Sequence, residues 1–316
     1  MRYARIGNGY SNLTYLAEDA SGRRWVLRRP PLGELLESAH DVEREYRILA
    51  ALSDTDVPAP AALDICREPA VCAAPLVLME YVEGFVLDRE SAIEQLSATG
   101  RAAVGIELAR AMARIHAVDL EATGLTELSR SRTPYAARQL RRWRSQWDAS
   151  KTRELPLVDE LGERLTAAMP PPEPPALVHG DLHPMNALVS SAGEVLSVLD
   201  WELCTLGDPI ADLGTLFAYW PQPGEPTGIL FPASTYPGFV TREELSAAYA
   251  EANGRSIETV GYWHALGLWK LAVIAEGILR RSPEDPHNAS RAGAVSADAI
   301  AELAERAGAV AAANGI

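Results

Sequence analysis

The sequence contains little cysteine, and the cysteines it has form no metal or disulfide pattern. Cys66, Cys72 and Cys204 are odd in number and scattered, with no Cys-x-x-Cys pair. A disulfide framework or a zinc site built from clustered cysteines is therefore not expected. Unpaired cysteines are typical of a reducing compartment, and we predict a cytoplasmic protein.

The sequence also lacks a long hydrophobic run. The apolar stretch from Leu266 to Leu279 is interrupted by Lys270 and Glu276, whereas a membrane-spanning helix needs about 20 predominantly apolar residues. The first residues contain no apolar core of an export signal. We therefore predict neither export nor a partner membrane.

Basic residues are outnumbered by acidic ones. The 29 lysines and arginines stand against 43 aspartates and glutamates, which gives a formal net charge of -14. Because nucleic acids are bound through clustered basic residues, a nucleic-acid partner is not expected. The acidity favours solubility and leaves cationic small molecules open as substrates.

The two parts of the chain differ in hydrophobic periodicity. Residues 3–29, 61–66 and 76–81 are β-prone runs separated by turns, and residues 40–52 have helical spacing. Beyond Glu83-Gly84 the sequence becomes Ala-rich and helix-periodic. Helices are predicted at residues 100–118, 133–148, 156–168, 209–219, 242–253, 257–280 and 296–313. This pattern predicts an α+β protein with a nucleotide-binding first lobe (residues 1–82) and a catalytic, substrate-binding second lobe (residues 83–316).

The stretch that carries chemistry begins at His179. Asp181 and Asn186 follow His179 at the spacing of a kinase catalytic loop, and Asp200 comes after a predicted hairpin. In such a loop the aspartate accepts the proton of the acceptor hydroxyl, and the asparagine holds Mg²⁺ together with the second carboxylate. We predict Asp181 as catalytic base, Asn186 and Asp200 as metal ligands, and His179 as the organiser of the loop.

Two alternatives to a kinase loop fit the same residues less well. His-Gly-Asp also occurs as an ordinary turn before a strand, and His179, Asp181 and His183 are possible ligands of a transition metal. No further histidines with ligand spacing complete such a metal site.

A glycine-containing turn in the first lobe is a candidate for covering the nucleotide phosphates. Gly9, Ser11 and Asn12 lie between two predicted strands, as such a loop must, although the full G-x-G-x-x-G pattern is missing. Asn-Gly is also a common signal for a plain hairpin turn.

The remaining nucleotide-binding candidates lie on the third strand, the first helix and the end of the sheet. Arg28 occupies the place of the phosphate-binding lysine of kinases, with Glu45 as its predicted ion-pair partner and Glu43 as a competitor. The alternatives are that Arg29 takes this place or that Arg28 has only a surface role. Glu80 and Val82 lie at the predicted hinge, where backbone groups contact an adenine ring.

The candidates for substrate binding are weaker. Basic residues, including Arg141 and Arg142, concentrate between residues 130 and 153, and we predict that they meet an anionic part of the substrate. A solvated helix face is the alternative. Trp201 and Glu202, which follow Asp200, are further candidate substrate contacts.

Two aspartates after Asp200 are predicted to support the site. Asp208 lies where a helix begins, and a carboxylate there is typical of helix capping. Asp212 lies one turn further on and is predicted to bond back to the catalytic loop.

With these residues in place, the sequence resembles the aminoglycoside phosphotransferase-like (choline kinase-type) family, in the branch related to the kinase domain of acyl-CoA-dehydrogenase fusion proteins. The matching segments are residues 11–15, 26–31, 44–46, 142–156, 179–186, 200–209, 241–244 and 270–280. The resemblance implies a two-lobed protein-kinase-like fold, ATP and Mg²⁺ as cofactors, and the roles given above for Asp181, Asn186 and Asp200. Members of this family usually carry further residues before the first strand.

The function we expect is therefore ATP-dependent transfer of a phosphoryl group to the hydroxyl of a small molecule. A hydroxyacyl-CoA is favoured as acceptor by the resemblance and the basic stretch, whereas an aminoglycoside would need an acidic pocket. A nucleotide-binding pseudokinase or scaffold is the alternative outside the enzyme class, although Asp181, Asn186 and Asp200 are all present. We expect a monomer or a homodimer.

Overall fold

A computed structural model describes residues 1–6, 12–31, 41–129, 131–227, 229, 231–281 and 295–316. Its first part is a sheet with one helix. Five strands form this sheet: β1 (Arg2–Ile6), β2 (Leu13–Glu18), β3 (Arg24–Arg29), β4 (Ala62–Cys66) and β5 (Leu76–Glu80). They are arranged in the order β1-β2-β3-β5-β4, and every neighbouring pair is antiparallel. The small antiparallel sheet predicted for the first lobe is confirmed.

Helix α1 (Val42–Leu52) packs against this sheet. Its start is fixed by Asp41, whose carboxylate accepts a hydrogen bond from Arg44 N at 2.9 Å. Ile48 and Leu49 are buried on the side of the helix that joins the core.

The rest of the described chain is mainly helical. The helices are α2 (Glu90–Ile93), α3 (Ala98–His116), α4 (Tyr135–Ser150), α5 (Pro156–Ala167), α6 (Ile210–Ala218), α7 (Arg242–Asn253), α8 (Val260–Arg281) and α9 (Ala297–Ala313). All seven helices predicted beyond residue 83 are present within a few residues of their expected bounds. The short α2 was not predicted, because four residues are too few to show a helical period.

Two short strand pairs lie between α5 and α6. Strands β6 (Ala176–Val178) and β9 (Thr205–Gly207) pair with each other, and β7 (Ala187–Val189) pairs with β8 (Val195–Val198). The β7–β8 pair confirms the predicted hairpin, whereas β9 was not predicted.

The second lobe is held together by helix packing around large apolar side chains. Trp147, Trp201, Trp220, Trp263 and Trp269 are almost completely buried. Helix α6 approaches α8 closely because Gly214 faces the backbone of Trp263, where an added Cβ would lie only 2.3 Å from the Trp263 carbonyl carbon. This contact ties the segment that follows Asp200 to the longest helix.

None of the helices in the described ranges is long and apolar enough to cross a membrane.

Candidate active site

The β7–β8 hairpin brings two of the predicted site residues together. Ala187 pairs with Val198, and Leu199 N donates a hydrogen bond to Asn186 O at 2.8 Å. Asn186 and Asp200 therefore flank adjoining segments of backbone. Asp200 has a φ of 66°, the only positive φ outside glycine in the described chain. Aspartate tolerates this left-handed conformation better than most residues.

Asp212 holds the backbone of the catalytic loop in place. Its carboxylate accepts hydrogen bonds from His179 N at 2.6 Å and Gly180 N at 2.8 Å. His116 Nε2 lies 3.2 Å from the same carboxylate. Burial alone would raise the pKa of Asp212, but the bond to His116 and these backbone donors lower it below its ordinary value. The prediction that Asp212 bonds back to the loop is confirmed.

His179 organises the loop, as its spacing predicted. Nδ1 accepts a hydrogen bond from Asp181 N at 3.3 Å, and Nε2 lies 3.0 Å from Leu199 O. Complete burial, against the ring of Trp201 at 4.9 Å, lowers the pKa of His179 below its ordinary value. The ring is thus neutral at pH 7, with Nε2–H donating to Leu199 and Nδ1 free to accept.

Asp181 is surrounded by four donors that stabilise its charge. Oδ1 lies 3.4 Å from the Tyr219 hydroxyl and 3.6 Å from Lys270 Nζ. Oδ2 lies 3.5 Å from Asn186 Nδ2 and 3.6 Å from His183 Nε2. Burial alone would raise the pKa of Asp181, but Lys270 and His183 hold it well below its usual range. Asp181 is therefore ionised at neutral pH.

All four contacts to Asp181 are longer than an ordinary hydrogen bond of about 2.7 to 3.2 Å. The carboxylate is thus electrostatically stabilised, while its lone pairs stay open to a closer donor such as a substrate hydroxyl. The contribution of Lys270 was missed by sequence reasoning, which took it only as an interruption of an apolar run.

Arg28 forms the centre of a half-buried ion-pair network that includes Asp200. Its Nε lies 3.0 Å from Glu45 Oε2, and its Nη2 lies 2.6 Å from Asp200 Oδ1 and 4.0 Å from Glu202 Oε2. The predicted pair of Arg28 with Glu45 is confirmed, and Glu43 instead pairs with Arg67 on the surface.

The charges in this network shift one another's pKa. Burial alone would lower the pKa of Arg28, but Glu45 and Asp200 raise it above its ordinary value. Burial raises the pKa of Glu45 to about 7, against the opposing effect of Arg28. Glu45 also accepts a hydrogen bond from Trp201 N at 3.2 Å, which links α1 to the segment after Asp200.

The turn that was predicted to cover phosphates is described only at its end. Gly9 and Ser11 lie outside the described residues, whereas Asn12 is buried and its Nδ2 donates to Glu202 Oε2 at 3.4 Å. Asn12 Oδ1 is buried without a hydrogen-bond partner in the described chain. An unpaired buried acceptor beside Arg28 and Glu202 leaves a polar position that a ligand can use.

At the predicted hinge, Glu80 is already bonded to the neighbouring strand. Its N–H donates to Ala61 O at 2.9 Å, and its carboxylate accepts from Ala61 N at 3.2 Å. The N–H of Glu80 is therefore not available to an adenine ring. Val82 is half-buried just beyond β5, and its role stays a prediction.

Two of the predicted substrate contacts, Trp201 and Glu202, directly follow Asp200 in the chain. Trp201 is completely buried and its indole N–H donates to Val198 O, so the prediction that it contacts substrate is wrong. Glu202 contacts Asn12 and Arg28.

The other two, Arg141 and Arg142, are exposed on α4. The Arg142 guanidinium lies 5.1 Å from the centre of the Trp143 ring, and Lys270 Nζ lies 5.3 Å from the same ring. This links the basic stretch to the group beside Asp181. Trp143 and its neighbour one turn on, Trp147, are both buried in the core.

Asn186 and Asp200 fit the magnesium that the kinase spacing implies. Asn186 Nδ2 donates to Asp181 O at 2.9 Å, which leaves its side-chain oxygen as the ligand, and Asp200 adds a carboxylate. Mg²⁺ prefers such oxygen ligands and usually takes only one or two from protein, with phosphates and water completing its shell. Consistently, no group of three or more His, Cys, Asp or Glu side chains in the described ranges is arranged to hold a metal. The alternative of a transition-metal site at His179, Asp181 and His183 is thus not supported.

The chain belongs to the phosphotransferase enzyme family, whose sequence profile matches residues 2–269. Among its relatives is acyl-CoA dehydrogenase family member 10 of Mus musculus, which is 35% identical over 287 residues and 89% of this chain. The chain spans only 27% of that protein and 38% of the mouse family member 11. The resemblance stated from the sequence is confirmed.

Solved structures have the same fold. A Ralstonia eutropha protein, assigned provisionally as an aminoglycoside phosphotransferase, superposes with a TM-score of 0.75 at 29% identity, covering 99% of this chain and 91% of its own. The aminoglycoside phosphotransferase APH(4)-Ia, solved with ADP and hygromycin B, has a TM-score of 0.60 at 17% identity and covers 96% and 94%. The predicted α+β kinase-like fold is therefore confirmed.

Proposed function

We propose that the protein transfers the γ-phosphoryl group of ATP to a hydroxyl group of a small molecule. One observation carries this proposal. Asp181 is ionised and has no short hydrogen bond to its carboxylate, and it lies beside Asn186, which the β7–β8 hairpin connects to Asp200. Membership of the phosphotransferase enzyme family and the ADP complex of a protein with the same fold support it.

Each residue has a distinct part in this reaction. Asp181 orients the acceptor hydroxyl and receives its proton as the oxygen bonds to phosphorus; such proton transfer typically contributes about 10² to 10⁴ in rate. Because its pKa is held low, Asp181 is a weak base. It therefore takes the hydroxyl proton late, when the forming bond between the hydroxyl oxygen and phosphorus has made that proton acidic. Arg28 binds phosphate oxygens through its guanidinium.

Asn186 and Asp200 would hold Mg²⁺, which neutralises phosphate charge when bound. Asp200 is now paired with Arg28 at 2.6 Å. With nucleotide bound, the Asp200 carboxylate would hold the cation and the Arg28 guanidinium would bind phosphate.

For the acceptor we propose a hydroxyacyl-CoA type of molecule. The exposed Arg141 and Arg142 lie on the helix whose Trp143 contacts Lys270, so positive charge extends from beside Asp181 onto the surface. An acceptor with phosphates or a carboxylate complements this surface, and the similarity to acyl-CoA dehydrogenase family members supports a thioester. An aminoglycoside would bring positive charge toward Lys270.

The reaction is tested by ADP release from ATP and Mg²⁺ in a screen of hydroxyacyl-CoAs, aminoglycosides and small amino alcohols. Asp181→Asn should lower kcat about 10² to 10⁴-fold without unfolding the protein. Wild-type turnover that persists in this variant would refute the mechanism. If the wild-type protein binds ATP but releases no ADP with any acceptor, the pseudokinase alternative is favoured instead.

The acceptor class is tested by charge reversal on α4. In the double variant Arg141→Glu/Arg142→Glu, KM for a hydroxyacyl-CoA should rise about tenfold at low salt, and the difference should shrink at about 0.5 M NaCl as screening increases. Arg110→Glu on α3 is the matched control, because Arg110 is also exposed but belongs to another helix. An unchanged KM in the double variant would contradict the anionic acceptor.

A further inference from the structure

Helix α8 places a lysine in the interior of the second lobe. Lys270 is only 5% exposed and its neighbours on α8, Trp269 and Leu271, belong to the apolar core. The chain has just two lysines, the other being Lys151. Burying an ammonium group costs free energy unless its charge is compensated. The groups that surround the Lys270 ammonium therefore indicate its role.

Three groups compensate the buried charge of Lys270. Two belong to the catalytic loop and the third to helix α4. Nζ donates to Gly180 O at 2.9 Å, lies 3.6 Å from Asp181 Oδ1, and lies 5.3 Å from the centre of the Trp143 ring. The first contact fixes the backbone directly before Asp181. The second stabilises the charge of Asp181 itself, and the face of the Trp143 ring attracts the cation that lies over it.

We propose that Lys270 is a positioning residue for phosphoryl transfer, which holds the loop at Gly180 and keeps the Asp181 carboxylate oriented toward the acceptor hydroxyl. This proposal rests on the function proposed above. It assigns a part of the catalytic step to a helix that is distant from the loop in sequence.

The contact distances favour this role over a simple structural pair. A salt bridge made for stability would bring the ammonium to about 2.7 to 2.9 Å from the carboxylate. Here the short contact goes to the Gly180 carbonyl, and the ammonium stays 3.6 Å from Asp181 Oδ1. Lys270 thus supplies positive charge without occupying the carboxylate oxygens.

The Lys270 ammonium contacts the catalytic loop and is separate from the ion pairs of Arg28. It contacts the loop and the Trp143 ring of α4, whereas Arg28, Asp200 and Glu45 form a separate group on the nucleotide side. Loss of Lys270 should therefore change kcat and leave the affinity for ATP nearly unchanged.

The experiment is a double-mutant cycle between Lys270 and Asp181, with Arg110→Met on α3 as the control for losing a positive charge. Lys270→Met should lower kcat for ADP release about 100-fold, with KM for ATP changed by less than about twofold. In an Asp181→Asn background the same change should cost less than about threefold, because the group through which Lys270 acts is already lost. Lys270→Arg keeps the charge and should recover at least about a tenth of wild-type kcat.

Two outcomes would overturn the proposal. Equal losses of kcat from Lys270→Met in both backgrounds would show that Lys270 does not act through Asp181. A wild-type kcat in Lys270→Met would show that it does not act at all. If Lys270→Met does not fold, the comparison is made with Lys270→Arg, and a rescued fold with kcat below about a hundredth of wild type would equally contradict the role of the charge.

A second readout does not depend on turnover and separates this proposal from the proposed function. Urea unfolding is measured for the wild-type protein, Lys270→Met, Asp181→Asn and the double variant. The losses of stability from the two single changes should not be additive, because the two side chains share one interaction. Additive losses would overturn the proposal even if no acceptor is ever found. Non-additive losses in a protein that never releases ADP would support the contact and contradict only the enzymatic function.

Discussion

The two sides of the candidate site are stabilised in opposite ways. On the loop side, Asp212 is buried and its oxygens are bonded to His179 N, Gly180 N and His116. On the nucleotide side, Arg28 is bonded to Asp200, a residue that we propose turns to a cation when nucleotide binds. The loop backbone is therefore held in place before any ligand arrives, whereas we propose that the Arg28 side exchanges partners when nucleotide binds.

This difference predicts where substitutions act. Changes on the loop side remove bonds that exist in the free protein, so they should reduce both stability and turnover. Changes on the nucleotide side also remove ion pairs of the free protein, such as those of Arg28 with Glu45 and Asp200. Because we propose that Arg28 binds phosphate as well, they should reduce nucleotide affinity in addition to stability.

The largest effect is expected for Asp212→Ala. It removes a buried carboxylate that holds two backbone N–H groups and leaves both without an acceptor. Loss of one partner from a buried charged network typically costs about 3 to 5 kcal/mol. The unfolding free energy from urea titration should fall by about that amount, and kcat should fall by more than about 100-fold as the loop loses its anchor.

Asp208→Ala is the control for Asp212. Asp208 is also buried, and it accepts one hydrogen bond from Ile210 N at 2.9 Å. It lies one residue before Pro209, the N-cap of α6, so it contacts the start of the helix without being the cap that was predicted. Its loss should cost about 1 kcal/mol and leave kcat nearly unchanged. If both variants lose the same stability and activity, the loop side is not specially anchored.

A smaller effect on stability is expected for Arg28→Met. Burial raises the pKa of Glu45 to about 7, so Glu45 can take up a proton when its partner is lost, which limits the cost. KM for ATP should rise about tenfold, because a charged hydrogen bond to phosphate is worth about 1.5 to 3 kcal/mol. Arg28→Lys should restore most of the affinity. An unchanged KM in Arg28→Met would remove Arg28 from the nucleotide side.

Local spacing was sufficient to predict the residues that follow one another along the loop. Asp181 and Asn186 are placed by the turn, Asp200 by the hairpin, and Asp212 by the helix that follows. The pair of Arg28 with Glu45 was also predictable, because a strand followed by a helix brings them together. Each of these depends on short-range geometry.

Contacts between distant segments could not be predicted in the same way. Lys270 reaches Asp181 only because α8 packs against α6 through Gly214, and nothing in the sequence near Lys270 shows this. Trp201 was assigned to the substrate because it follows Asp200. The left-handed backbone of Asp200 instead precedes a tight turn, and the indole lies in the core.

The last prediction concerns the pH dependence of stability and a buried histidine of α8. His264 on α8 is buried, and its Nε2 has no hydrogen-bond partner in the described part of the chain. Burial, with Arg242 and Arg306 nearby, lowers its pKa to about 3, against the opposing effect of Glu225. The unfolded chain takes up a proton below about pH 6.5 while the folded protein does not. The stability is therefore complete above about pH 6.5 and is lost as pH falls toward about 3.

Replacing His264 with leucine should remove this dependence. Between about pH 7 and pH 5 the unfolding free energy of the wild-type protein should fall by about 2 kcal/mol more than that of His264→Leu. Urea titrations of both proteins across this range measure the difference, and the interval above about pH 7 is the internal control because the two curves should run parallel there. Parallel curves down to about pH 5 would mean that His264 is protonated in the folded state. The protein would then hold a charge at His264 that neighbouring groups compensate. This part of the interior would resemble the ion pairs of Arg28 more than the loop that Asp212 holds in place.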